Sequence, residues 1–540
     1  MLNKDKNKIS RVVFFLSVML LVTVISGCKT SDEQSGQKNQ NASDDKTVVV
    51  GVADLREIGM LDAIYGAGDI LHQEFIYDPL VVFGKGGKIE PGLAESWKIS
   101  PDGKEYTFKL CKDVKFSDGS DFNADTVLFN VGRWKGASST ASLSLAQNLT
   151  NIEKLDDYTV KMTFNKSYYP YLTELTYPRP SRMISPNALD RQGEFVKPIG
   201  TGRWMIESYD KNESVLVPNP YYYGDKPKID KIIVKLITDA QARLMAVQTG
   251  EVDFLAVSIM AEDVSLIEQK EDLSILKTEG TDTCHFMFNY ETPALQDLNV
   301  RKAISHAINK GSIIDNILDG YAKEAKGLFS EGNPYVTAEN SFGYDYSPKT
   351  AVKLLNESGY KDTNDDGILD RNGEPLHIRL VFQNSEYPDW KPICEFVASQ
   401  LEEIGIDVEL RLQEMNAYYD SIWTTRDFDM ILYRSYADSW NPSGFLISLY
   451  YPTQDGKSVA WSNEELNGLI DKALASTEQN ERQELYDEIF KLMYDEAMCL
   501  PLYYPQKLYV YNNRLIGLEQ ATTSYEIIKW EKLDIKEALR

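Results

Sequence analysis

The stretch HIRLVFQNSEYPDWKPICEFVASQLEEIGIDVELRLQ, residues 377–413, decides the fold class. HIRLVF at its start predicts a strand, because it is rich in β-branched and apolar residues. CEFVASQLEEIG has apolar residues at helical spacing and ends at Gly405, which predicts an amphipathic helix. IDVELRLQ predicts a second strand. Strand, helix and strand in this order form a βαβ unit and indicate an α/β fold.

The same alternation continues on both sides of this unit. Upstream, VRKAISHAINKGSIIDNIL (300–318) places Val300, Ala303, Ile304, Ala307 and Ile308 on one helical stripe. Downstream we expect a strand in DFDMILYRSY (427–436), helices in NEELNGLIDKALAS (463–476) and ERQELYDEIFKLMYDEA (481–497), and then the apolar PLYYPQKLYVY (501–511).

The N-terminal half is richer in strands. Period-two alternation or continuous β-branched runs predict strands in TVVVGV from Thr47, KEYTFKLCKDVKF (104–116), YTVKMTFNK (158–166) and DKIIVKLI (230–237). We therefore predict two α/β lobes, with lobe one over 47–284, lobe two over 285–507 and a return to lobe one over 508–540.

The N-terminus has the order of a secretory signal. Basic residues precede the apolar run VVFFLSVMLLVTVI (12–25), which is shorter than the roughly 20 residues that cross a bilayer and ends at Ile25-Ser26-Gly27-Cys28. The string I-S-G-C resembles a bacterial lipobox. This predicts a signal peptide over 1–27, lipid attachment at Cys28, and an extracytoplasmic protein held at the cell membrane. The polar segment 28–46 is expected to be a flexible tether with a span of roughly 20 to 25 Å.

Net charge excludes one class of partner. The chain carries −25, and removal of the signal, which contributes +3, leaves −28. Nucleic-acid binding requires a basic surface, so we expect no nucleic-acid partner.

Beyond Cys28, the four cysteines are isolated in the sequence, and we expect them to be buried without a disulfide framework: Cys111, Cys284, Cys394 and Cys499.

Several motifs resemble one family. They are YDPLVVF (77–83), PGLAESWKISPDGKEYTFKLCKDVKFSDG (91–119), FNADTV (122–127), IGTGRW (199–204), PNPYYYGDKP (218–227), VRKAISHAIN (300–309) and AVKLLNESGY (351–360). Together they resemble the peptide, nickel and opine solute-binding proteins of ABC importers, family 5. The resemblance implies a bilobal periplasmic-binding-protein-like fold, an extra subdomain in lobe one at about 85–190, and partnership with an ABC permease and its ATPase subunits.

Within that family, YYPYLTELTYPRPSRMISP (168–186) is similar to the nickel- and metallophore-binding members. In those proteins the arginine of the P-R-P unit, here Arg179, contacts the carboxylate of a small organic chelator. A guanidinium offers a planar fork of donors that matches a carboxylate. The alternative is a structural salt bridge between Arg179 and one of the many acids.

Aromatic residues form a second predicted wall of the ligand site. By the same resemblance, Tyr436 and Trp440 occupy positions where nickel-binding members carry ligand-facing rings, and Tyr65 also faces the cleft. The sequence departs from that pattern twice. Gln454 lies near the position of a metal-binding histidine, and SSTASLS (138–144) replaces a segment with a second arginine and a tryptophan.

No metal site built by the protein alone is predicted. The four histidines show no metal-ligand spacing, so most ligands of a bound metal would come from the organic chelator. A weaker calcium signal lies in DTNDDGILDRNGE (362–374), where Asp362, Asn364 and Asp366 resemble the start of an EF-hand loop. Because position twelve of that loop is Gly373, a surface turn is the preferred interpretation.

The sequence thus predicts a monomeric, non-enzymatic receptor of an importer that captures nickel, or a similar transition metal, as a complex with a small chelator. The alternative within the same class is a short-peptide receptor. A secreted hydrolase is disfavoured because no nucleophile or metalloprotease motif occurs. A sensor lipoprotein without a transporter is a third possibility. No resident cofactor is expected.

Overall fold

The computed structural model describes residues 46–65, 70–135, 137, 140, 143–178, 180–436, 442–453, 456–521 and 527–536. The strands are β1 (Thr47–Val52), β2 (Val81–Phe83), β3 (Ile89–Pro91), β4 (Ala94–Ile99), β5 (Glu105–Leu110), β6 (Leu149–Asp156), β7 (Thr159–Phe164), β8 (Trp204–Tyr209), β9 (Glu213–Pro218), β10 (Lys231–Leu236), β11 (Phe254–Leu255), β12 (Leu273–Glu279), β13 (Cys284–Phe288), β14 (Ala322–Glu324), β15 (Asp370–Arg371), β16 (Glu374–Pro375), β17 (His377–Phe382), β18 (Asp407–Leu412), β19 (Met430–Arg434), β20 (Cys499–Asn512), β21 (Leu515–Ile516) and β22 (Asp534–Ile535).

The α-helices are α1 (Ile70–Ile76), α2 (Ala124–Trp134), α3 (Ser144–Asn148), α4 (Tyr171–Glu174), α5 (Ala240–Gln248), α6 (Val264–Glu268), α7 (Leu298–Ala307), α8 (Lys310–Asn316), α9 (Pro348–Glu357), α10 (Trp390–Glu402), α11 (Met415–Asp420), α12 (Ser443–Leu449), α13 (Glu464–Ala475) and α14 (Gln479–Asp495). None of the helices in the described ranges is long and apolar enough to cross a membrane.

Two large cores give the molecule its two lobes. In lobe one, the sheet order is β12-β20-β11-β1-β10-β9-β8, and the main core draws on residues from Val48 to Phe254 and from Leu515 to Leu533. In lobe two, the order is β14-β20-β13-β19-β17-β18, and the core draws on residues from Cys284 to Tyr503. The α/β, bilobal fold is therefore confirmed, while the predicted lobe limits stay predictions.

The βαβ unit that decides the fold class is confirmed. β17 and β18 pair in parallel from His377↔Asp407 to Phe382↔Leu412, and α10 connects them. α10 begins at Trp390, four residues before the predicted helix. It does so because Pro392 lies in its first turn, where a missing backbone N–H costs the helix no hydrogen bond.

A smaller antiparallel sheet lies within the N-terminal half. Its strand order is β4-β5-β7-β6, and the inward side chains of β5 and β7 alternate with outward ones, as the sequence pattern predicts. α2 packs against this sheet, and its first turn is closed by a capping box between Asn123 and Thr126.

One helix prediction is wrong in detail. The stripe in 300–318 does not form a single helix, because the backbone is extended at Ile308 and divides it into α7 and α8. The Asn309 side chain then accepts a hydrogen bond from the Ser312 amide and caps α8. The apolar residues still face the core of lobe two on both helices.

Candidate ligand cleft

The directions of the strands indicate where the cleft between the lobes lies. β20 runs through both lobes and is antiparallel to β11 in lobe one and to β13 in lobe two. Because β19 is antiparallel to β13, it runs parallel to β20 and therefore opposite to β11. The carboxyl ends of β1 and β11 thus face those of β17 and β19. Loops at the carboxyl ends of strands form ligand sites in α/β proteins, so the cleft lies between these two sets of loops.

The two predicted aromatic contacts that the structure describes follow strands of different lobes. Tyr65 follows β1 and is 45% exposed. Tyr436 follows β19, and its hydroxyl lies 2.8 Å from the Ser448 Oγ while its ring meets Phe445 edge-on at 5.0 Å. Their placement is compatible with ligand contacts, and their roles stay predictions.

Other predicted site residues fall outside the described ranges. These are Arg179, Trp440, Gln454 and the lipid-attachment residue Cys28, together with part of 138–144. The prolines on either side of Arg179, Pro178 and Pro180, are both buried.

Sequence reasoning missed a neighbouring arginine in the same segment. Arg182 is 5% exposed, and its Nη2 donates to the Glu74 carboxylate while its Nη1 donates to the Tyr77 carbonyl at 3.2 Å. Burial raises the pKa of Glu74, and Arg182 opposes that rise. The ion pair anchors the end of this segment against α1. The partners are 108 residues apart, so their spacing in the sequence carries no signal.

Glu174 anchors the same segment on the N-terminal side of Arg179. Its buried carboxylate accepts hydrogen bonds from the backbone amides of Ser144 at 3.1 Å and Leu145 at 2.6 Å. Burial raises the pKa of Glu174 to about 8, in spite of these two hydrogen bonds. The Ser181 hydroxyl donates to the Glu174 carbonyl at 2.6 Å. This residue therefore joins the segments that contain residues 144–145 and 174–181.

The lobes touch at a cluster of rings that we call the tyrosine contact, made of Tyr169, Tyr335, Tyr486 and Arg482. The hydroxyls of Tyr169 and Tyr486 are 2.8 Å apart, and the Arg482 guanidinium lies 4.7 Å from the Tyr169 ring centroid. Tyr335 stacks on Tyr486 with ring centroids 4.6 Å apart. Because Tyr169 precedes α4 and the other three belong to lobe two, the contact ties the lobes together.

A cavity of about 240 Å³ lies beside β20, the strand that crosses between the lobes. Ser258–Ala261, in the loop after β11, forms one wall. Another is formed by Glu386–Asp389, in the loop after β17, and by Trp390, the first residue of α10. Arg434, Asp282 and the 505–508 part of β20 also line it. We call this space the crossing-strand cavity.

Within the described ranges, no three His, Cys, Asp or Glu side chains are grouped so that they could hold a metal ion. His306 lies in α7 and His377 begins β17, as predicted, and His377 Nδ1 lies 2.6 Å from an Asp407 oxygen. Burial lowers the pKa of His285 to about 4, so this imidazole is neutral.

The residues of the possible calcium loop bind one another. The Asp362 carboxylate accepts from the Gly367 amide at 3.0 Å, and Asn364 Nδ2 donates to Asp366 at 2.9 Å. These bonds form an exposed turn, and calcium binding at the loop stays a prediction.

Three of the four cysteines, Cys284, Cys394 and Cys499, are buried as predicted, and Cys111 is partly buried.

Two lobes around a cleft, joined by crossing strands, are the architecture of a solute-binding protein, in which the lobes close on ligand. Comparison with known proteins gives the family. Residues 88–457 match the bacterial extracellular solute-binding proteins, family 5, middle region, and the chain belongs to this family. It is therefore an extracytoplasmic solute-binding protein of an ABC importer and not an enzyme.

Three relatives show the range of ligands in the family. The nickel-binding periplasmic protein of Escherichia coli K12 is 31% identical over 86% of this chain and 90% of its own length. NikA from Brucella suis, solved in complex with Fe(III)-EDTA, is 31% identical, with a TM-score of 0.81 over 90% of this chain and 100% of its own. The glutathione-binding protein GsiB of Salmonella choleraesuis is 26% identical over 84% of this chain and 88% of its own length.

Proposed function

We propose that this protein captures nickel, or a similar transition metal, as a complex with a small carboxylate-bearing chelator and delivers it to the permease of an ABC importer. The observation that carries the proposal is the 31% identity, across nearly the whole chain, to the nickel-binding periplasmic protein of Escherichia coli and to NikA of Brucella suis. NikA was solved with Fe(III) held by EDTA, an amino-polycarboxylate.

The geometry of the cleft supports this function. Aromatic rings lie in the opposed loops after β1 and β19, at Tyr65 and Tyr436, where they can cover the faces of a flat chelate. Arg179 is the proposed carboxylate contact, and Trp440 is a further ring of the same wall. Buried hydrogen bonds of Glu174 and Arg182 fix the chain before and after Arg179.

A short peptide is the second candidate ligand. Glutathione is a tripeptide, and the 26% identity to its binding protein favours this alternative. Gln454, in place of a metal-binding histidine, favours it too. Both ligand classes carry carboxylates, so Arg179 serves either one.

We also propose that the mature protein is a monomer held at the outer face of the cell membrane by lipid on Cys28, with residues 28–46 as its tether. Cell fractionation and mass spectrometry of the mature N-terminus test the anchor. Cys28→Ser should release the protein into the soluble fraction. If this variant stays with the membrane, the lipid attachment is wrong.

Isothermal titration calorimetry separates the ligand classes. The titrants are nickel alone, nickel with L-histidine, and a set of dipeptides and glutathione. We expect heat of binding with the nickel–histidine complex and none with nickel alone. Binding of peptides without binding of any chelate overturns the metal proposal in favour of the alternative.

Arg179→Ala tests the site assignment in the same assay. Loss of a charge-assisted hydrogen bond to a carboxylate costs about 1.5–3 kcal/mol, which is about a 10- to 150-fold loss of affinity. Arg191→Ala, an exposed arginine in the same lobe, is the matched control. Unchanged affinity in Arg179→Ala contradicts the assignment.

A further inference from the structure

A small cavity in lobe two, which we call the Lys310 cavity, has only positive charges in its lining. Residues of the loop 326–344, of α14 and of the start of β20 line it, and its volume is about 30 Å³. One water molecule requires roughly 10–15 Å³ of such space, so the cavity can hold one or two particles of that size. The described residues of its lining include two lysines, Lys310 and Lys326, and no carboxylate. The chain has 82 acidic and 57 basic residues, so this lining differs from the composition of the whole protein.

Lys310 places a buried ammonium group at the cavity. The residue is 4% exposed, and its Nζ donates one hydrogen bond, to the Ala325 carbonyl at 2.8 Å. An ammonium group has three N–H donors, so two of them remain. Within the described ranges Lys310 forms no ion pair, and the exposed residues Glu324 and Asp345 act on its charge only at longer range.

Burial of Lys310 does not remove its charge. Burial lowers the pKa of Lys310 to about 8, so the amine stays mostly protonated at pH 7. A buried cation without a counter-ion is costly, and so are donors without acceptors. A water molecule in the cavity would supply an acceptor and leave the charge uncompensated. A small anion would supply an acceptor and a counter-charge together.

The walls of the cavity restrict which anion can bind. Its volume excludes organic carboxylates of more than a few atoms. Lys326, which is exposed and forms no ion pair with the described residues, adds positive charge on the solvent side. Five apolar residues of the lining disfavour strongly hydrated, divalent anions such as sulfate and phosphate: Leu328, Phe329, Val336, Phe490 and Met493.

We propose that the Lys310 cavity binds a single halide ion, chloride in the native setting, on the Lys310 ammonium group. The bound ion joins α8, which begins at Lys310, to the loop 326–344 and to α14, and thereby stabilises lobe two. None of the residues that line this cavity lines the crossing-strand cavity, belongs to the tyrosine contact or is a proposed chelate contact. The site is therefore separate from the proposed function.

Anomalous diffraction from crystals of the mature protein soaked in sodium bromide tests the site directly. Bromide is a chemical substitute for chloride, and its anomalous signal distinguishes it from water. We expect one bromide peak inside the cavity, at ion-pair distance from Lys310 Nζ. A cavity that holds only water, or nothing, in those crystals overturns the proposal, whether or not bromide binds at exposed lysines.

Thermal unfolding of the metal-free mature protein measures the same binding in solution. The salts are sodium chloride, sodium bromide and sodium gluconate at equal ionic strength, because gluconate is too large for the cavity. An ion that binds only the folded state raises the melting temperature as its concentration increases. We expect a saturable rise of about 1 °C or more in both halides relative to gluconate. Equal melting temperatures in the three salts contradict the proposal.

A pair of variants identifies the residue. Lys310→Met removes the ammonium group and keeps a side chain of similar length, so the halide-dependent rise should disappear. Lys349→Met, at an exposed lysine of the same lobe, should keep it. A rise of wild-type size in Lys310→Met contradicts the assignment. If Lys310→Met does not fold, the bromide crystals of the wild type still decide the question.

The two proposals fail independently. Neither the diffraction nor the unfolding experiment contains metal, chelate or peptide, so a negative result there leaves the proposed function as it is. Absence of chelate and peptide binding in calorimetry, with bromide present in the cavity, removes the proposed function and keeps the halide site.

Discussion

Removal of the Tyr169 hydroxyl should weaken ligand binding, although it changes none of the predicted ligand contacts. In the tyrosine contact, the Tyr169 and Tyr486 hydroxyls are 2.8 Å apart and belong to different lobes. Release of ligand requires the lobes to separate, so a bond across them stabilises only the closed state. Tyr169→Phe removes that bond and keeps the ring.

The magnitude follows from the contacts that are lost. One hydrogen bond contributes about 0.5–1.5 kcal/mol net, so Tyr169→Phe should reduce affinity about 2- to 12-fold. Tyr169→Ala also loses the edge-on contact with Tyr335, at 5.9 Å, and the cation–π contact with Arg482, at 4.7 Å. The ring contact contributes about 0.5–1.5 kcal/mol and the cation–π contact about 0.5–1 kcal/mol. Together with the hydrogen bond, their removal should reduce affinity about 10- to 700-fold.

Two measurements check this prediction: calorimetry with nickel–histidine, and small-angle scattering of the protein without ligand. We expect a larger radius of gyration in Tyr169→Ala. Tyr346→Ala is the control, because that lobe-two tyrosine is 45% exposed. If both Tyr169 variants bind within twofold of wild type and keep its radius of gyration, the tyrosine contact does not stabilise closure.

Three further predictions concern stability and reactivity. Burial raises the pKa of Glu174 from 4.5 to about 8, so the folded state binds a proton more tightly than the unfolded state. The stability gained from this proton is lost as the pH rises from about 4.5 to 8. Glu174→Gln should therefore flatten the fall in melting temperature over that range, and an unchanged slope would argue against Glu174 as its source. Arg182→Gln leaves Glu74 buried without its partner and should lower the free energy of unfolding in urea by about 3–5 kcal/mol. A decrease of less than about 1 kcal/mol would contradict a buried ion pair. Burial raises the pKa values of Cys284 and Cys499 to about 12, so a thiol reagent at pH 8 should modify them only after unfolding, and rapid native labelling would show exposed thiols.

The fold could be predicted where the hydrophobic period was unambiguous. The strand from Thr47, the strand His377–Phe382 and its crossover to Asp407–Leu412 follow from local patterns alone. The break at Ile308 could not be predicted in this way. Two short helices present the same apolar stripe as one long helix, and the extended backbone at that residue is fixed by the packing of lobe two.

The candidate site was predictable only in part. Tyr65 and Tyr436 came from resemblance. They follow β1 and β19 in the chain, and their contact with ligand stays a prediction. The crossing-strand cavity had no counterpart in the sequence analysis. Asp282 and Arg434 are distant in the chain, and each is an ordinary charged residue until the crossing strands bring them to one space.

The sequence by itself determined the family, the α/β class and the order of strands and helices, because family motifs and hydrophobic periods are local properties of the chain. Only the tertiary structure decided which charges are paired. It joined Arg182 to Glu74 and left Arg434 without an acid among the described residues. The physical reason is that burial and charge pairing depend on distances between segments far apart in the chain, and those distances exist only after the two lobes have folded around their shared strand β20.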